Sequence, residues 1–147
     1  MPIKTFRGRI PQGEQKRIRL STNDGKTGYR IMRFDVINKT PGGVSPEIVA
    51  KIYSVSKAGA VTASIDFNDP ELLGVNYYTS YATGGANTAY VIFDKDVFNQ
   101  DIYITTADAS GATDETNFYL ELEAIKLNMN EATYVTLKDI RNYSQPV

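Results

Sequence analysis

The sequence predicts an all-β fold, an antiparallel β-sandwich with one or two short helical segments. Three observations carry this: apolar and polar residues alternate through segment after segment, β-branched and aromatic residues crowd those segments, and Gly, Pro, Asn and Asp punctuate them. With 147 residues, 41% apolar and 22% charged, the chain fits one domain, 1–147, whose core needs no disulfide or metal staple.

The first strand expected is Glu14 to Leu20, where Lys16, Ile18 and Leu20 alternate against Gln15, Arg17 and Arg19. Ser21 to Gly28 is dense in residues that accept positive φ or bond their own backbone, so a hairpin turn is expected there. It leads into a strand from Tyr29 to Asn38 with Met32, Phe34 and Val36 facing one way. Thr40-Pro41-Gly42-Gly43 ends that strand, because proline lacks the ladder N–H and glycine weakens extended structure. Ile48 to Val55 is strand-like by its β-branched and aromatic content. Further strands are expected at Val61 to Phe67, Tyr90 to Phe93, Asp101 to Thr106 and Phe118 to Leu127. In the last of these, Phe118, Leu120, Leu122 and Ala124 alternate with Tyr119, Glu121 and Glu123.

Two segments read as helical. Asp69-Pro70-Glu71-Leu72-Leu73 offers an N-cap aspartate followed by proline at the first helical position. Near the end, Asn130 is positioned to cap a helix with Met129, Ala132, Leu137, Ile140 and Tyr143 in one stripe. A final strand through Thr133, Val135 and Leu137 is the alternative, since threonine and valine are poor helix formers. No repeat of solenoid or propeller length recurs.

The composition withholds the common catalytic designs. The chain has no histidine and no cysteine, hence neither the side chain that titrates near neutral pH nor the strongest ready nucleophile. Without histidine there is no ready base to activate a serine, and no glycine-rich phosphate cradle occurs, so no enzymatic activity and no cofactor are expected. Asp94, Asp96, Asn99 and Asp101 form the densest oxygen cluster, but Phe98 stands where an EF-hand needs a ligand, and no metal is expected. A glycosidase using Asp66 or Glu71 is the enzymatic alternative, weakened by the capping role open to Asp69. The N-terminus is basic without an apolar stretch behind it, so neither a signal peptide nor a membrane span is expected.

Charge is unevenly placed. Residues 1–33 hold nine Lys and Arg against Glu14 and Asp24, whereas the remainder holds seven bases and fifteen acids. Three readings follow: the charges intermix when the strands fold together, a basic segment meets an acidic neighbouring subunit, or the segment meets nucleic acid. The last is disfavoured because few aromatics interleave the basic residues, as stacking on bases would require. The candidate subunit-contact residues are Arg7, Arg9, Lys16, Arg17 and Arg19. A second candidate surface is the stretch from Asn76 to Tyr90, where tyrosine mixes with Ser, Gly, Asn and Thr as in contact loops. Tyr77, Tyr78 and Tyr81 would there touch protein or stack on a glycan, or else pack as an edge of the core with hydroxyls in water.

Gly8-Arg9-Ile10-Pro11-Gln12-Gly13-Glu14-Gln15-Lys16-Arg17-Ile18-Arg19-Leu20, with Thr27-Gly28-Tyr29-Arg30-Ile31, resembles the openings of small virion structural proteins of tailed bacteriophages of marine bacteria. Val91-Ile92-Phe93-Asp94, Asn99 to Ile104 and Leu137-Lys138-Asp139-Ile140-Arg141 share the resemblance. None of these strings is a chemical motif, and no catalytic residue carries over. The resemblance implies a particle component, a capsid-decorating or cementing protein with a jelly-roll-like sandwich, assembled in the host cytoplasm. Its partners would be the major capsid protein or neighbouring structural subunits, with homo-oligomers expected. A carbohydrate- or receptor-binding module of a tail or fibre is the alternative.

Overall fold

The computed structural model describes residues 2–22, 24–41, 46–81, 85–111 and 115–144, apart from the side chains of 81, 85, 86 and 141–144. Eight strands precede one helix: β1 (Ile3–Ile10), β2 (Gln15–Ile18), β3 (Thr27–Asn38), β4 (Glu47–Tyr53), β5 (Leu72–Tyr81), β6 (Gly85–Ile92), β7 (Ile102–Asp108), β8 (Thr116–Lys126) and α1 (Met129–Ser144). They form two antiparallel sheets, ordered β1-β8-β3 and β2-β7-β4-β5-β6. Outer strands wrap inner ones: β1 pairs with β8, β2 with β7 and β4 with β5, while β3 approaches β6 without backbone pairing. This nesting is jelly-roll-like, except that β6 pairs with β5 in the other sheet rather than with β3.

The core lies between the inner faces. The alternation read in β8 holds, with Phe118, Leu120, Leu122 and Ala124 buried. Opposite them stand Ile48, Ala50 and Ile52 of β4 and Ile102 and Ile104 of β7. In β3 the phase changes at a bulge between Ile31 and Arg33. Tyr29 and Ile31 face inward before it and Phe34 and Val36 after it, while Met32, expected inside, is 43% exposed. A bulge of this kind lets one strand change which parity faces the core.

Several expected elements differ. β1 was not expected, because two of its four inward positions are Lys4 and Gly8. Ser21 to Gly28 is not a hairpin turn, since β2 and β3 lie in different sheets. Val61 to Phe67 alternates like a strand but has no ladder partner. It belongs to the connection 54–71, which lies over the outer face of the five-stranded sheet, with Ala63 and Phe93 packed on Val49, Leu72 and Val75. Asp69 begins a turn rather than a helix: its Oδ1 accepts the Glu71 N–H (2.9 Å), and β5 starts at Leu72.

The final segment is helical. Its cap is Asn128, not Asn130: Asn128 Oδ1 accepts the Glu131 N–H (2.8 Å) and Glu131 Oε1 accepts the Asn128 N–H (3.2 Å), a reciprocal capping box. The buried stripe is Ala132, Val135 and Asp139, while Met129, Leu137 and Ile140, expected inside, are exposed. Tyr143 lies outside the described side chains. Among the described residues no helix is long and apolar enough to cross a membrane.

One buried polar side chain ties the sheets together. Asn76, 1% exposed on β5, donates to the Phe34 carbonyl of β3 (3.0 Å) and accepts from the Thr88 hydroxyl of β6 (3.1 Å). A carbonyl on the outer edge of β3 is thereby satisfied across the sandwich. Replacing Asn76 by Ala strands that buried acceptor and is expected to cost about 1–3 kcal/mol in urea unfolding. Thr88→Ala, which leaves the Asn76–Phe34 bond in place, should cost about 1 kcal/mol or less.

Candidate functional site

β1 and β2 are terminal strands of their two sheets and lie along the same edge of the sandwich. Gly8 of β1 lies beside β2, since a Cβ there would stand 3.1 Å from Lys16 Nζ and 3.2 Å from the Phe118 ring. Strand alternation distributes the basic residues over this edge. Arg7 and Arg9 project from the outer face of the three-stranded sheet, opposite Tyr119 and Asn117. Lys4 and Lys16 emerge between the sheets. Lys4 donates to the Tyr29 hydroxyl (3.2 Å), and the Lys16 ammonium lies 5.6 Å from the centre of the Phe118 ring. Each covers apolar surface with its stem and keeps its charge outward. Arg17 and Arg19 continue the row on and just beyond β2.

The five residues expected to act together are therefore gathered on one edge, but not all are available. Arg9 Nε pairs with Glu115 (2.9 Å). Arg17 reaches Asp101 Oδ2 through Nε (2.6 Å) and through Nη2. Arg30 and Arg33 are likewise paired, with Glu123 (2.8 Å) and with Asp35 and Glu121. Much of the charge asymmetry in the sequence is thus cancelled inside the fold. Among the described residues, Lys4, Arg7, Lys16 and Arg19 make no ion pair, and they set the positive character of the edge.

Asp101 holds this edge in place. It is 7% exposed, and its Oδ1 accepts the backbone N–H groups of Leu20 (2.7 Å) and Ser21 (2.9 Å) while Oδ2 takes Arg17. Burial pushes its carboxyl up, but the Ser21 and Leu20 N–H groups and the Arg17 guanidinium outweigh that and hold it below the usual range. Two members of the oxygen cluster noted in the sequence, Asn99 and Asp101, are spent on such joints. Asn99 donates to the Gly25 carbonyl (3.0 Å) and the Thr136 hydroxyl (2.7 Å), fixing the β2–β3 connection and α1. Among the described residues no three metal-ligating side chains converge.

Over its described residues the tyrosine stretch is not a loop but the antiparallel strand pair β5–β6. Tyr77 and Tyr78 consequently point to opposite faces. Tyr78 is buried in the core, Tyr77 is 37% exposed, and the side chain of Tyr81 lies outside the described residues. Tyr77 and Tyr78 cannot stack on one sugar together. Among the described side chains of this strand pair the most exposed ring is Tyr90, at 61%.

A second polar constellation, not anticipated from sequence, lies under the connection 54–71. Lys57 Nζ donates to Asp69 (3.0 Å) and Glu71 (2.7 Å) and sits 4.8 Å from the Tyr53 ring centre. Lys51, 3% exposed on the outer face of β4, donates to the Ser64 carbonyl (2.7 Å). These groups border a cavity of about 170 Å³. Desolvation lowers the Lys51 ammonium, opposed by Asp69; Lys57 is raised because its bonds to Glu71 and Asp69 outweigh the desolvation that opposes them. The geometry fastens the connection to the sheet. Asp66 accepts the Asn68 N–H (2.9 Å) in a turn on the exposed surface, whereas Glu71 is 5% exposed and engaged by Lys57. A lone lysine within the apolar run of β4 was the signal in the sequence.

No protein-family model and no curated protein matches this chain.

Because the folded Asp101 carboxyl titrates below its unfolded value, its contribution is full above the ordinary carboxylate range and is lost as pH falls through the lowered folded value. Asp101→Asn should unfold about 1–3 kcal/mol more easily at pH 7. It should also lose part of the acid-induced drop in stability below about pH 4, read from urea midpoints between pH 2 and 7.

Proposed function

We propose that this protein is a non-enzymatic structural component of a virus particle, a jelly-roll-like sandwich that decorates or cements the shell by docking its basic edge on an acidic surface of neighbouring subunits. The observation that carries this reading is the placement of Lys4, Arg7, Lys16 and Arg19, none of them in an ion pair among the described residues, along the adjacent terminal strands β1 and β2. Charge set on a rim steers encounter and fixes register more than it supplies affinity, which suits a subunit held by many weak contacts repeated over a lattice. The jelly-roll-like topology and the sequence resemblance to phage virion proteins support the same reading. A glycan-binding module built on Tyr77, Tyr78 and Tyr81 is less well supported, since two of the three face opposite ways.

Particles purified from cells that carry the gene should contain the chain in many copies, measured by quantitative mass spectrometry and immunogold labelling. Its presence in the lysate but absence from the particles would overturn the proposal. The double variant Arg7→Glu/Arg19→Glu should keep the fold, show several-fold lower occupancy, and strip at lower salt. Arg17 is the wrong residue for this test, because its charge is needed by Asp101.

A further inference from the structure

The sheet edges of this molecule are not guarded alike. β1 and β2 carry Lys4, Arg7, Arg9, Lys16 and Arg17, and charges of this kind discourage another strand from adding to an edge. β6 ends the other side of the five-stranded sheet and has the sequence Gly85-Ala86-Asn87-Thr88-Ala89-Tyr90-Val91-Ile92. It contains no charge and no proline, its sole strand partner among the described residues is β5, and all five residues from Asn87 to Val91 are exposed. Tyr90 is 61% and Val91 43% exposed.

We propose that β6 is a self-association edge, at which β6 of one copy pairs antiparallel with β6 of a second copy about a two-fold axis to join their five-stranded sheets. Three observations select a second copy as the occupant. A two-fold axis sets a strand against itself, so a charge-free strand meets no like charge, whereas at β1 the same operation would bring Arg7 and Arg9 of two copies together. The inner side of β6 is uncovered, as the exposure of Thr88 and Tyr90 shows, and the two-fold brings a second Tyr90 to the same face. The size of the edge fits a weak self-contact. Eight residues span about 27 Å, and such a pairing falls short of the roughly 800 Å² per partner of a standard interface. After the loss of rigid-body freedom, a dissociation constant in the micromolar range is expected. A contact this weak is unimportant in dilute solution and effective where copies are held side by side.

The pairing has a signature that separates it from contacts through the basic edge. It involves no charged residue, so it persists at high salt, where the basic edge is screened. Sedimentation velocity in about 1 M salt should show a monomer–dimer equilibrium with a midpoint between about 1 and 100 µM. The variant Asn87→Lys/Ala89→Lys, which installs on β6 the charges already found on β1 and β2, should be monomeric throughout that range with unchanged near-ultraviolet circular dichroism. Since the chain contains no cysteine, single substitutions Asn87→Cys, Ala89→Cys and Val91→Cys give an independent reading. Oxidation should cross-link two copies through at least one of these positions, and not through Cys placed at Arg7. A wild-type chain that stays monomeric at high salt, a lysine variant that still dimerises, or the absence of any β6 cross-link would each overturn the proposal, whatever other strand the edge then accepts.

Discussion

Three strands cannot cover five, and most features of this molecule follow from that constraint. The strands β1, β8 and β3 overlie β2, β7, β4 and part of β5, burying a continuous apolar layer between them. Where the smaller sheet ends, the fold supplies substitutes. Asn76 bridges from β5 to the free side of β3 and satisfies a carbonyl that a further strand would otherwise have paired. Phe98 exchanges two backbone bonds with Tyr29 and occupies the same side of β3 nearer its start (2.7 and 3.0 Å). β6 receives no such cover and is left with its residues open from Asn87 to Val91.

The edges therefore divide into two kinds with different physics. At β1 and β2 the fold spends acids from the later part of the chain, Glu115 and Asp101, on two of the arginines and leaves Arg7 and Arg19 outward. Contacts made there depend on ionic strength and on the partner's charge. In the pairing proposed at β6 the backbone itself would be the adhesive group, and that pairing would depend on neither.

How much of this was legible depended on where each residue's partner lay. β8 was readable because one of its faces is buried and the other wet, so Phe118 to Ala124 alternate without exception. In β5 local pattern reads Leu72 and Leu73 as helix and Asn76 onward as a loop; its inward positions include Gly74 and Asn76, and the reason for a polar residue there, a carbonyl 42 positions earlier in the chain, is invisible to local pattern. Val61 to Phe67 made the opposite error possible: Val61, Ala63, Ile65 and Phe67 alternate well, but alternation without a ladder partner makes no strand, and Ile65 and Phe67 are 44% and 56% exposed. The basic residues are identified by type and position, yet which of them remain unpaired is set by Glu115 and Asp101, the latter 84 residues from the Arg17 it holds. Lys51 and Lys57 gained their polar surroundings from a connection whose path no local signal fixes.

The central claim is that this sandwich is an assembly unit whose contacts include a charge-dependent edge. Light scattering on a sizing column, with the unmodified protein run at low and at high salt, tests it most directly. The account predicts a mass well above the 16.3 kDa of one chain at low salt, falling at high salt towards that of a concentration-dependent dimer. A mass of one chain at every concentration and both salts would contradict it.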